Sequence, residues 1–149
     1  MHIVIDGIDG TGKTTLVEFL KTKFPQHNFH DRGLPTKLTD DPNAKDYYKN
    51  EDVIYFILDD HPDYCRQRLK KAGKDLNEEY HTYDSLKEYR QKFKDVFYLL
   101  LSQHRKVHFV NVYDDEEIMH EFIIQLIEED IDICPEEIII DNYEIEEDD

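Results

Sequence analysis

The sequence is short of what marks a secreted or membrane-bound chain. It has two cysteines, Cys65 and Cys134, far apart, too isolated for a disulfide framework or a zinc pattern. No run of about eighteen apolar residues occurs, which excludes a membrane-spanning helix. The N-terminal "HIVI" lacks a basic flank and is too short for a signal peptide. A reducing cytoplasm is the expected setting. Most telling, no Lys or Arg follows Lys106.

That last absence divides the chain. Residues 1–106 balance 18 basic against 18 acidic residues, while residues 107–149 hold 17 acids and hence the whole net charge of −17. Such an end repels phosphate backbones, so nucleic acid is a disfavoured partner. With 149 residues, the expectation is one domain over 1–129 and an acidic tail over 130–149. The tail reads as solvated, although "EEIIID" is apolar enough to pair with a sheet edge or grip a partner.

Strand and helix signals alternate along the rest. "HIVID" is a short apolar strand, and "GKTTLVEFLKTKF" places Leu16, Val17, Leu20 and Phe24 at helical spacing before Pro25. "HNFHD" reads as a short second strand and "GLPTKLTDDPNA" as a loop. "VIYFIL" is the clearest strand; "HPDYCRQRLKKAG" is a helix with Pro62 in its first turn and Gly73 near its end. A long helix is expected from about Tyr80 to His104. "VHFVNV" then makes a fourth strand and "DEEIMHEFIIQLIEE" a closing helix. Four alternations predict an α/β fold with a short parallel sheet between layers of helices.

The chemistry begins at Gly7-Ile-Asp-Gly-Thr-Gly12-Lys13-Thr14. Glycines let successive backbone N–H groups curl around a polyphosphate, and the following helix turns its positive end there. Lys13 would reach the β- and γ-phosphates, and the Thr14 hydroxyl would ligate Mg²⁺. An Asn-Lys-x-Asp segment after a later strand, needed by a GTPase, is missing, and the loop lacks the proline usual in adenylate kinases.

With its Asp9 and Gly10, "VIDGIDGTGKTTLVEFL" resembles the opening of thymidylate kinases and of the wider deoxynucleoside monophosphate kinases. "FHDRG" resembles the family's Asp-Arg motif, "FILDDHPDYCRQRLKKAG" its strand and the helix leading to the lid, and "VHFVNVYDDEEIMHEFI" its last strand and helix. The match spans most of residues 1–129 and implies a three-layer P-loop NTPase fold, a short parallel sheet flanked by helices, in a compact enzyme of the kind phages encode. It also implies ATP and Mg²⁺ as cofactors, small nucleotides as partners, a dTMP-like acceptor and a possible homodimer.

By the same resemblance ATP is held by Asp9, Gly10, Thr11, Gly12, Lys13, Thr14 and Thr15, with Arg66 reaching it from the lid side. Thr14 and Asp31 take the metal, Arg32 clamps the acceptor phosphate, and Asp9 lies near the acceptor sugar. Gly10 stands where some members carry a catalytic arginine, which implies that the transition-state cation comes from the lid side. Arg66, Arg68 and Lys70 are the candidates there, with Lys71 and Lys74 behind them, and Arg68 is assigned to the catalytic set. Asp59, at the end of "VIYFILD", is the rival metal carboxylate; otherwise it caps the next helix. Tyr47, Tyr48, Tyr80 and Tyr83 are available to face a base, and Asn111 to Asp114 resemble the adenine-cupping region. The eight histidines read as structural or solvated.

One departure from the pattern concerns the acceptor. The family's second strand and two pocket-building helices precede the Asp-Arg strand, and here only "PQHNFH" separates Phe24 from Asp31. Two other functions therefore stand beside the first: a kinase acting on a base or 5′ end in DNA, and a nucleotide-binding regulator without turnover.

Overall fold

The computed structural model describes residues 1–46, 48, 52–112 and 116–129. Tyr47, Tyr113, Asp114 and the tail over 130–149 with its "EEIIID" patch lie outside them. Nine elements follow in order: β1 (His2–Gly7), α1 (Lys13–Lys23), β2 (Asn28–Asp31), α2 (Leu34–Asp40), β3 (Val53–Asp59), α3 (Pro62–Lys71), α4 (Tyr83–Ser102), β4 (Lys106–Asn111) and α5 (Glu116–Glu129).

The four strands form one sheet in the order β2-β1-β3-β4, and every pairing is parallel. Strands buried on both faces must be apolar on both, which is why "HIVI" and "VIYFIL" read as continuous apolar runs rather than alternating ones. Their side chains still divide by parity. Ile3, Ile5, Ile54, Phe56 and Leu58 pack with α1 and α5 through Leu16, Leu20, Met119 and Ile123. Val4, Tyr55 and Ile57 face the other way, against Cys65 and Leu69 of α3 and Leu86, Phe93 and Phe97 of α4. The result is three layers with two cores.

Chain order places the functional region. From β1 the chain passes through α1 to β2 on one side, then crosses to β3 on the other. Ligands in open α/β sheets bind outside the strand ends at such a reversal. The carboxyl ends of β2, β1 and β3, carrying Asp31, Gly7 and Asp59, meet there. Among the described residues no helix is long and apolar enough to cross a membrane.

One segment departs from the sequence reading. "GLPTKLTDDPNA", expected as loop, contains α2. Pro35 sits in its first turn, where a missing N–H costs no hydrogen bond, and its ring is buried. Leu34 and Leu38 pack against the α3–α4 core.

Candidate active site

The loop between β1 and α1 is shaped by contacts that its residue types dictate. Gly10 has φ +86°, and a Cβ there would stand 2.5 Å from the Cys65 carbonyl oxygen; only glycine fits the turn and the close approach to α3. Gly12 also takes the left-handed conformation, with open space where a side chain would be. Thr11 turns its hydroxyl inward to donate to the Ile8 carbonyl at 2.8 Å, whereas Thr14 and Thr15 are exposed.

Lys13 is buried, with Nζ donating to the Gly7 and Ile8 carbonyls at 2.9 and 2.8 Å. Desolvation pulls its pKa below the ordinary lysine value, and the nearby Asp9 carboxylate, 3.8 Å away, opposes that. A desolvated cation held by carbonyl dipoles, with the Asp9 carboxylate beyond hydrogen-bond distance, is a ready counter-charge for an incoming anion.

Asp31 and Thr14, both assigned to a metal in the sequence reading, lie within hydrogen-bond reach of each other. The Thr14 hydroxyl donates to Asp31 Oδ2 at 2.8 Å, because β2 pairs directly with β1 and Asp31 stands level with Ile5. A hydroxyl and a carboxylate at a phosphate cradle are hard oxygen donors of the kind Mg²⁺ takes. No group of three or more His, Cys, Asp or Glu among the described residues could hold a metal. A cation at Thr14 and Asp31 would therefore draw its other ligands from phosphates and water.

Arg32 and Asp9, named separately from the sequence, form an ion pair at 2.6 Å. Arg32 holds φ +75°, an unusual backbone for a non-glycine residue. Asp9 also receives His81, whose Nε2 lies 3.2 Å from Oδ2. Sequence reading had set His81 aside with the other histidines, and no local signal marks it, since the contact spans 72 residues.

Arg68 donates to the Gly10 carbonyl at 3.1 Å and to Asp60 at 2.7 Å, so it reaches the loop from α3. Arg66 does not join it: its guanidinium is bound to the carbonyls of Leu76 and His81 in the α3–α4 connection. Lys70, Lys71 and Lys74 are exposed.

Asp59 corrects an expectation. It does not cap α3; His61 does, accepting from the Asp63 N–H at 3.1 Å. Asp59 instead holds Arg90 of α4 through both oxygens, at 2.9 and 3.0 Å. Burial raises its pKa and the Arg90 hydrogen bonds work against that. Its carboxylate is occupied by a cation of the fold.

Beside the cradle lies a cavity of about 280 Å³. Gly7, Ile8, Asp9 and Arg32 form its cradle side, Thr36, Thr39 and Asp40 of α2 a second side, and Leu86, Tyr89 and Phe93 of α4 a third, with Tyr80 and Ser85 at the start of α4. Of the expected tyrosines among the described residues (Tyr48, Tyr80 and Tyr83), Tyr80 lines it. Tyr48 stacks on His2 with ring centroids 4.3 Å apart, and Tyr83 is exposed near His61. Tyr89 and Phe93 read in the sequence as an ordinary helix stripe. Asn111 ends β4, and the Val112 N–H donates to the Asp59 carbonyl at 2.8 Å.

The wall contributed by α2 is anchored from beneath by Asp6, the fully buried residue before the loop. Its carboxylate accepts from the N–H groups of Gly7, Gly33 and Thr36, at 2.9, 3.0 and 2.9 Å, and from the Thr36 hydroxyl. Burial raises the Asp6 pKa, and the hydrogen bonds from Thr36 and Gly7 oppose the shift.

No established family profile matches the sequence, and no curated protein matches it. Solved structures do. Deoxyadenosine kinase from M. mycoides with bound dCTP aligns at a TM-score of 0.64 and 16% identity, over 86% of this chain and 99% of that one. The same enzyme with dATP gives 0.61 and 17%, over 86% and 100%. With the products dCMP and a flexible dCDP it gives 0.60 and 13%, over 86% and 98%. At such identities the likeness is one of fold: a parallel sheet flanked by helices, as in these P-loop kinases.

Proposed function

We propose that the protein is a kinase that transfers the γ-phosphoryl group of ATP to a deoxynucleoside monophosphate. The observation that carries this reading is the position of the cavity, which opens directly onto the cradle at Asp9 and Arg32. Phosphoryl transfer needs little covalent chemistry from the protein; positioning and charge neutralisation do most of the work.

Each group has a part in that. Lys13 would exchange the carbonyls of Gly7 and Ile8 for phosphate oxygens. Asp9, Gly10, Thr11, Gly12, Thr14 and Thr15 make up the rest of the ATP loop. Thr14 and Asp31 would hold Mg²⁺, which when bound neutralises charge developing between the phosphates. Arg32 is the cationic side chain lining the cavity, and an acceptor phosphate would compete with Asp9 for it. Arg68, in contact with the loop, is the proposed transition-state cation. Arg66 serves ATP only through the segment it ties down.

A second reading has its own observation. Asp9 and Asp40 both line the cavity beside the single Arg32, a balance that suits an uncharged acceptor. Asp9 would then take the proton of a nucleoside hydroxyl. Similarity of fold to deoxyadenosine kinase supports this reading too. ADP release over deoxynucleosides, their monophosphates, and single- and double-stranded DNA separates the alternatives. Turnover of monophosphates supports the proposal, turnover of nucleosides the second reading. Activity confined to DNA would replace both, and no turnover with nucleotide binding intact would mark a regulator.

A further inference from the structure

The cavity wall made by α2 and α4 has an unbalanced hydrogen-bonding inventory. The Thr36 hydroxyl donates to Asp6, the Thr39 hydroxyl donates to the Thr36 carbonyl at 2.6 Å, and the Tyr89 hydroxyl donates to Asp40 at 3.1 Å. A hydroxyl has one proton, so these three oxygens offer a ligand only lone pairs. The Asp40 carboxylate, with Lys92 3.8 Å away, likewise only accepts. Among the described residues no Asn, Gln, Lys or His lines the cavity, and Arg32 lies at the cradle end, on Asp9. The hydroxyls of Ser85 and Tyr80 alone can turn either way.

We propose that this wall makes the cavity selective for bases carrying an exocyclic amino group, with Thr36, Thr39 and Asp40 as the specificity-determining side chains. The proposal rests on reading the cavity as the acceptor site. An amino group presents two N–H donors to oxygens that need them. A carbonyl in the same place faces lone pairs and leaves both sides unmatched, which is how hydrogen-bonding sites reject close analogues. Cytosine and adenine fit; uracil, thymine and hypoxanthine do not. This runs against the thymine preference implied by the sequence resemblance.

Matched pairs test the effect, because dCMP differs from dUMP, and dAMP from dIMP, by an amino group in place of an oxo group and by an adjacent ring nitrogen that accepts in place of one that carries N–H. The amino partner therefore brings two N–H donors to the wall and the oxo partner one. Equilibrium binding of the four to the full chain, with the corresponding nucleosides in parallel, is expected to favour the amino partner at least about tenfold in each pair. Asp40→Asn, which adds an N–H₂ donor on an exposed residue, is expected to narrow the gap by about threefold or more. Equal or tighter binding of the oxo partners, a gap unmoved by Asp40→Asn, or no binding of any of them would overturn the proposal. Failure of the functional reading looks different. Turnover with an oxo-base preference keeps phosphoryl transfer and removes this inference; amino-base binding without ADP release does the reverse.

Discussion

Lys13 is the most exposed to test of the single residues. It is a buried cation held by two carbonyls, and its proposed role is to follow charge on the transferring group. Lys13→Ala is expected to lower turnover by about 10²-fold or more, measured as ADP release; near-normal activity would show that the loop is not the catalytic centre. The two carboxylates at strand ends separate by readout. Asp31→Asn should reduce the rate and weaken Mg²⁺ dependence with little change in melting temperature, since Asp31 is exposed and bonded to Thr14. Asp59→Asn should destabilise the fold by roughly 3 kcal/mol, because it leaves Arg90 part-buried without its counter-charge. A rate effect larger for Asp59 than for Asp31, in folded variants, would reverse the metal assignment. Cys65 offers a plainer check. It is fully buried and its thiol is pushed up to about 12 by burial. At pH 8.5 peptide mapping should find it unalkylated in the folded protein and labelled in urea.

At the scale of elements, what was legible followed local pattern. The strands β1, β3 and β4 and the helices α1, α3, α4 and α5 carry their own apolar runs or stripes, and glycine or proline also bounds α1 and α3. The missed helix, α2, does not. Its seven residues hold a proline, two threonines and an aspartate, and the hydrogen bonds that secure its start come from Asp6, 27 and 30 residues earlier. A sequence shows the Asp and shows the Thr, but not that they meet. Asp6→Asn is accordingly expected to cost about 1–3 kcal/mol in urea unfolding, since the amide turns donors toward donors. Hydrogen exchange should quicken first in α2, and uniform exchange across the sheet and α2 would contradict the anchoring role.

Over the whole molecule, the cradle was readable and the cavity beside it was not. The cradle is one contiguous segment with fixed spacing. The cavity's walls come from α2 and α4, and the groups at its cradle end, Arg32 on Asp9 with the His81 ring beside it, meet only through the fold. Charge is the other property of the whole chain. Deleting residues 130–149 removes ten acids and takes the net charge from −17 to −7. If the segment acts only through its field, turnover should persist and the KM for an anionic acceptor should fall slightly, less so at high salt. Loss of activity in a folded, soluble truncation would place the segment in the active site.

The central claim, that ATP in the cradle phosphorylates a nucleotide in the adjoining cavity, has one direct measurement. ADP release is followed with ATP, Mg²⁺ and each deoxynucleoside monophosphate in turn, with Lys13→Ala beside the native chain. The expected result is acceptor-dependent ADP release, with the matching diphosphate formed in equal amount, both abolished in the variant. Acceptor-independent ATP hydrolysis, or equal release by the Lys13→Ala protein, would contradict it.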